Sequence, residues 1–287
     1  MLIREFEAAD RLEVLLLLQQ NTNIPEDELD KLLERGQRLV ALQDGVLRGF
    51  ARLTPGRPGA YSFGVLVDPA VRRQGIGDNL WRQLLATLPG DAQHVSGGCS
   101  SADSDTHGFL QARGFKSWYG LELMHYSGPA LPDSQLVVRP YCDEDYEDWI
   151  RLQNEGFYPM RQAMDIKPYL LYPEEVKSDP ATRQKALDSG DDDDLLFYDG
   201  HQLVGMAIMV KVEIETVTVA SHLRRRGYGR RIIADCTNRM LARGINPVTL
   251  HVVSWNADAR QLYESMGYCV VEKQDVLRLR VGAERIG

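Results

Sequence analysis

One short segment occurs twice in this chain of 287 residues. Residues 67–77 read VDPAVRRQGIG and residues 219–229 read VASHLRRRGYG. The offset is constant, since 219 − 67 = 152 and 227 − 75 = 152, and the later pairs Gly114-Phe115 and Gly267-Tyr268 stand 267 − 114 = 153 apart. A motif that recurs at a fixed spacing marks an internal duplication, so whatever fold one half adopts, the other adopts too. The length suits two domains of ordinary size. The first covers 1–128 and the second 136–287, with 129–135 as the linker, drawn largely from the Pro-, Gly- and Ser-rich stretch SGPALPDS at 127–134.

Each copy of the motif sits between a β-branched run and a helical pattern. In the second half, Ile214, Thr216, Val217, Thr218 and Val219 favour an extended strand, because branching at Cβ restricts χ1 and packs well on a pleated surface. Arg-x-x-Gly-x-Gly follows, and a helix is expected over 230–241. Such a junction is built to grip phosphate: glycine admits a close backbone approach, and the helix N-terminus offers amides and partial positive charge. It is neither the three-glycine dinucleotide fingerprint nor a P-loop, which would end in Gly-Lys-Ser/Thr.

Around these motifs the pattern predicts strands at 2–6, 38–42, 46–53, 61–67, 93–96 and 117–126 in the first half. Helices are expected at 8–20, 25–35, 78–88 and 104–113. Asp44-Gly45 is a tight-hairpin signal, and Asp199-Gly200 repeats it. In the second half, strands are expected at 136–139, 195–198, 203–210, 249–253 and 268–280, and helices at 143–153 and 257–266. Residues 160–187 read as an insert, and Asp191 to Asp194 as a solvated loop. Strands and helices that do not alternate cleanly predict an α/β fold with a mixed, twisted sheet in each half.

Composition excludes several classes. No run of apolar residues is long enough to span a membrane, and MLIREFEAAD lacks the apolar core of a signal peptide. A cytoplasmic protein is therefore expected, with no membrane partner. The net charge of −8 argues against a nucleic-acid partner, which calls for a basic surface, and is compatible with a cationic small substrate. Cys99, Cys142, Cys236 and Cys269 are scattered without metal-ligand spacing and read as reduced, mostly buried thiols, so no metal is expected.

The turn Arg224-x-x-Gly227-x-Gly229, the preceding Val219, and the later segment SWNADARQLYESMGY over 254–268 together resemble the GNAT superfamily of acyl-CoA-dependent N-acyltransferases. The duplication resembles that superfamily's tandem members, with two such domains forming a pseudo-dimer within one chain. The resemblance implies acetyl-CoA as cosubstrate and a small-molecule or peptide amine as acceptor, bound beside a sheet that splits next to the phosphate turn. It implies cosubstrate contacts from Val217, Thr218, Val219, Arg224, Arg225, Arg226, Gly227, Tyr228, Gly229, Arg230 and Asn256. In the first half the corresponding contacts come from Val67, Arg72, Arg73, Gln74, Gly75 and Gly77. It further implies an oxyanion-binding amide near Val217 and a general acid at Tyr263 for the departing thiolate.

An alkylammonium with pKa of about 10.4 must lose a proton before it attacks a thioester, at a cost on the order of 4–5 kcal/mol near pH 7. Glu213 and Glu215 are carboxylates on an otherwise apolar strand and are the candidate bases, although edge-strand charges exposed to water would look the same. Spaced by two, they share a face of a regular strand, whereas a bulge would change that parity. With the 152 offset Glu213 maps to Tyr61 and Glu215 to Phe63. With the 153 offset Tyr263 maps to Leu110 and Asn256 to Asp103, while Asp105 and His107 lie nearby. The expectation is a catalytic second half and a degenerate first half. A non-catalytic acyl-CoA sensor and a protein acetyltransferase remain as alternatives.

Overall fold

A computed structural model describes residues 1–22, 29–30, 32–189 and 193–281. Of the helix expected at 25–35, residues 25–28 and 31 lie outside the described residues, while 29, 30 and 32 are helical. The chain forms two compact units, Met1–Trp118 with Gln274–Gly287, and Tyr119–Lys273.

In the first unit, β1 (Leu2–Glu5), β2 (Gln37–Gln43), β3 (Val46–Pro55) and β4 (Ala60–Val67) pair antiparallel in sequence, and β5 (His94–Ser100) runs parallel to β4. Asp44 and Gly45 both take positive φ, 54° and 79°, as a two-residue hairpin between β2 and β3 requires. Helices α1 (Arg11–Asn21), α2 (Ile76–Ala86) and α3 (Ser104–Gln111) belong to this unit. Its core includes Phe63, Leu80, Trp81, Leu84, Leu110 and Phe115. Beyond β5 the sheet is extended by Gln274–Arg280, the end of the last strand, β12 (Cys269–Arg280).

The second unit repeats the plan. Strand β6 (Lys116–Tyr126) pairs antiparallel with β11 (Val248–Val253), which runs parallel to β10 (Glu213–Val219), followed antiparallel by β9 (Gln202–Val210), β8 (Asp194–Asp199) and β7 (Val137–Pro140). Strands β8 and β9 read as near-continuous apolar runs because helices cover both faces of this sheet. The helices are α4 (Tyr146–Ala163), the short α5 (Glu174–Lys177), α6 (Pro180–Ser189), α7 (Tyr228–Ala242) and α8 (Ala257–Ser265). Leu196, Phe197, Met206 and Ile232 are fully buried, at about 1.5–3 kcal/mol of apolar transfer each.

The last strand of each sequence repeat is thus built into the sheet of the other unit: β6 beside β11, and the end of β12 beside β5. Contiguous halves over 1–128 and 136–287 describe the repeat in sequence, while the compact units exchange these strands. Both copies end in a similar strand, so local pattern carries no information about which sheet receives it.

A second repeated device ties β1 to α1 and β7 to α4. Arg4 holds Asp10 through two bonds of 2.6 and 2.7 Å, and Arg139 holds Asp145 through two of 2.5 Å. The offset here is 139 − 4 = 135, so the second copy carries 152 − 135 = 17 extra residues before the motif, where α5 and α6 lie. The expected solvated loop at 191–194 needs correction: Asp191 and Asp192 lie outside the described residues, but Asp194 opens β8 at 1% exposure. Its Oδ2 accepts from Trp149 Nε1 at 2.9 Å. Burial pushes this carboxyl up to about 7.

Candidate active site

The two glycine turns share one backbone conformation. Arg73 and Gly75 take φ of 63° and 81°, and Arg225 and Gly227 take 64° and 85°. Alternation with left-handed residues turns successive N–H groups toward a common point, which forms an anion-binding concavity. Arg231 N donates to Gly227 O at 3.3 Å, so the amides of Tyr228, Gly229 and Arg230 precede the first intrahelical bond. A Cβ built on Gly227 meets nothing within 4 Å, whereas one on Gly229 would touch Leu262 at 3.4 Å. The first glycine therefore faces open space and the second lets α7 approach α8.

Most side chains of this turn are occupied elsewhere. Arg224 Nη2 donates to Glu155 O at 2.6 Å, Arg225 pairs with Asp258 at 2.5 Å, and Tyr228 Oη donates to Asp199 at 2.9 Å. Arg230 reaches Ser265 Oγ, and Arg226 is exposed. The first unit matches: Arg72 Nε donates to Val67 O at 3.2 Å, and Arg73 pairs with Asp105. The backbone is thus what the turn presents toward a ligand, with arginine charge close behind it.

The ladder between β10 and β11 registers one pair, Glu213 with Thr249, after which the strands part. In the first unit β4 and β5 pair from Ala60 to Phe63 and then diverge in the same way. Past these points one edge of each motif strand, at Val217 to Val219 in the second unit, lies along the gap that leads to the glycine turn.

Register with β9 decides the parity of the two carboxylates. Thr218 faces Met206, Thr216 faces Ile208, Ile214 faces Met209 and Glu213 faces Val210, with the irregularity between Ile214 and Thr216. Cross-strand partners share a face, so Glu213, Thr216 and Thr218 point one way and Ile214 the other. Glu215 is the extra residue of a bulge. It is exposed, and it has no ion-pair partner among the described residues. The parity expected of a regular strand does not hold; the bulge separates the two glutamates.

Glu213 has a partner that lies outside both motifs. Two residues beyond Thr249 on the same face of β11, His251 places Nδ1 2.5 Å from Glu213 Oε1, with 40% and 29% of the two side chains exposed. The Glu213 carboxylate holds the imidazolium form and raises the His251 pKa above its ordinary value, against desolvation. The available sequence signal is a single imidazole inside VTLHVV, a pattern that tertiary packing alone connects to Glu213. Helix α4 covers this face closely, since a Cβ on Gly156 would come within 2.4 Å of Thr218 Oγ1. From the same turn, Glu155 Oε2 accepts from Ser221 N at 2.7 Å and fixes the entrance to the glycine turn.

On α8, Asn256 caps the helix by accepting from Ala259 N at 3.3 Å, the role Asp103 plays for α3 through Thr106 N at 3.0 Å. Tyr263 packs against the core with its ring 6.1 Å from that of Tyr268. Burial pushes its hydroxyl up to about 12. Full proton transfer from this phenol to the thiolate of a thiol near 8.5 is therefore uphill by on the order of 5 kcal/mol. A buried phenol of this kind acts as a strong donor to a thiolate before it acts as a full acid.

The first unit keeps the cleft and lacks these groups. About 320 Å³ of space is lined by Val67, Arg72, Arg73, Gly75, Gly77 and neighbours on α3, while Gln74 is outside that lining. Phe63 and Leu110 are core residues at 5% and 2% exposure. Asp105 is taken by Arg73. Among the described residues, no cluster of three or more His, Cys, Asp or Glu could hold a metal ion. The four thiols are unbridged; Cys236 is buried, but Cys99 and Cys142 are half-buried and Cys269 exposed, so "mostly buried" is corrected.

The model of the acetyltransferase (GNAT) family matches residues 7–115 and 146–268. The chain is similar to a mycothiol acetyltransferase of Thermomonospora curvata, 26% identical over 247 residues covering 82% of this chain and 79% of that protein. A mycothiol acetyltransferase of Corynebacterium glutamicum is 28% identical over 228 residues, 73% of this chain and 72% of its own length. In fold the chain is similar to a GCN5-related N-acetyltransferase from Sphaerobacter thermophilus, with TM-score 0.69 at 17% identity over 97% and 95% of the two chains. A tandem GNAT protein from the clavulanic acid biosynthesis pathway gives 0.65 at 16% identity over 98% of each.

Proposed function

Because the chain belongs to the GNAT family of acetyltransferases, we propose that it moves an acetyl group from acetyl-CoA to the primary amine of a small molecule or peptide. The chemistry lies in the second unit. Acetyl-CoA enters the gap between β10 and β11, its pyrophosphate on the backbone amides from Arg224 to Arg230 and its thioester carbonyl near the Val217 amide. The acceptor amine approaches from the face that carries Glu213. Tyr263 donates to the departing thiolate, and Asn256 sets the start of the helix that carries it. The relatives are mycothiol acetyltransferases, which favours a small thiol-metabolite precursor over a protein as acceptor.

One observation carries this reading: the two turns are alike in conformation, yet carboxylates on the motif strand and a tyrosine at the position of Tyr263 on α8 occur together in the second unit alone. In the first unit the counterpart of Glu213 is the half-buried Tyr61, and those of Glu215 and Tyr263, Phe63 and Leu110, are buried core. Its cleft is read as an acyl-CoA site without turnover, and the repeat at 1–128 as a degenerate domain. The test is CoA release from acetyl-CoA by the full chain with a panel of amines that includes the deacetylated form of mycothiol, in wild type and Tyr263→Phe. Saturable, amine-dependent release that collapses in the variant supports the proposal. Tight acetyl-CoA binding without release for any amine identifies a sensor instead.

A further inference from the structure

From the pairing of Glu213 with His251 we infer that His251, not either glutamate, takes the proton from the acceptor ammonium, and that Glu213 orients it. The inference rests on the transferase reading above and assigns the proton acceptor within that site. Glu213 Oε1 lies 2.5 Å from His251 Nδ1, so in the neutral ring Nδ1–H donates to the carboxylate and Nε2 is left with its lone pair. This is the arrangement in which a carboxylate fixes tautomer and orientation while the distal nitrogen works as base. Both residues sit on the face of β10 and β11 that carries Thr216 and Thr218, next to the point where the strands part. The imidazole is the more exposed member of the pair. It can pass its proton to water, whereas Glu213 is spent on holding it.

The step balances. Nε2 takes one proton from R–NH3⁺, and the amine lone pair forms the C–N bond at the thioester carbonyl. Collapse of the tetrahedral adduct breaks C–S and sends the electron pair to sulfur. The second nitrogen proton leaves as the amide forms, and one proton goes to the thiolate, giving the thiol. His251 then releases its proton to solvent, so one H⁺ appears per amide formed.

The groups that face the ring are acidic on balance. Glu213 on β10 and Glu272 on β12 both favour the protonated imidazole, while β6 places Leu123 opposite His251 and His125 opposite Thr249. The rate should therefore rise with pH along a limb above the ordinary histidine value, set by His251.

The experiment measures kcat/KM for the best amine from pH 5.5 to 9.5 in wild type, His251→Gln and Glu213→Gln, with NMR titration of His251 in wild type and Glu213→Gln. Expected are a loss of roughly 10²-fold at pH 7.5 in H251Q, with the residual rate climbing in proportion to hydroxide, and a smaller loss in E213Q. The limb of E213Q should move to lower pH by the same amount as the NMR titration of His251. H251Q within threefold of wild type on an unchanged limb overturns the assignment. So does an E213Q that is more damaging than H251Q with no shift of the limb, which makes Glu213 the direct base. A wild-type chain that turns over no amine refutes the transferase reading and removes the inference with it.

Discussion

Valine at Gly227 and valine at Gly75 form a matched pair of perturbations, because the two sites are nearly identical in everything but their neighbours. Gly227 has φ 85° and Gly75 has φ 81°, conformations in which an L-residue costs about 1–2 kcal/mol. The added Cβ meets no protein atom within 4 Å at Gly227 and only Asn79 Nδ2 at 3.8 Å at Gly75. The backbone penalty is therefore the same in both variants and steric damage to the fold is small in both. At about 2–4 °C per kcal/mol, each should lower Tm by about 2–8 °C. In function they should separate. Valine at Gly227 projects into the space where phosphate meets the turn amides, so CoA affinity at the second unit should fall by well over tenfold, more than 1.4 kcal/mol, and turnover should be lost. Gly75→Val should lose CoA binding in the first unit and keep kcat within a few-fold of wild type. The assay combines thermal melts, acetyl-CoA titration calorimetry and steady-state CoA release on the full chain. A fragment ending near residue 130 is unsuitable, since it lacks Gln274–Arg280, the strand that covers β5. Equal melts with equal loss of turnover would refute the assignment of one active and one degenerate unit.

Tyr263→Phe should lower kcat by roughly 10²-fold with little change in the KM for acetyl-CoA, because a donor to the thiolate acts in the transition state; steady-state kinetics that move KM alone would make Tyr263 a packing residue. Asp194 carries a pH dependence of stability. Its folded pKa of about 7 lies above the ordinary 3.8, so its contribution is fully present below about 3.8 and is lost as pH rises through about 7, on the order of 4 kcal/mol at most. Asp194→Asn keeps an acceptor for Trp149 and should gain stability relative to wild type between pH 5 and 8 in urea melts, where parallel curves would contradict the burial argument. Gly156→Ala should destabilise by about 1–3 kcal/mol in the same assay, since the methyl group would press on Thr218 Oγ1 and Cγ2, at 2.4 and 2.8 Å, where α4 meets β10.

The duplication, the strand–turn–helix at each motif and the Asp44-Gly45 hairpin are legible in the sequence because each is written in a few consecutive residues. Backbone conformation there is a local matter: a glycine that must take positive φ, a β-branched run, a cap residue such as Asn256 or Asp103. The fixed offset carries these local signals from one half to the other. Tertiary structure decided the rest. Which sheet receives the last strand of each repeat depends on a partner more than a hundred residues away, since β6 finds β11 and residues 274–280 find β5. The parity of Glu213 and Glu215 depends on a bulge opposite β9, where one extra residue turns the two carboxylates apart. Asp194 is the last acid of a charged run, yet it enters the core because β8 begins there and Trp149 supplies a donor. His251 meets Glu213 across 38 positions of chain. Spacing along one strand fixes which face a side chain takes, but the chemistry of a pair depends on which strands lie side by side, and that is a property of the packed sheet.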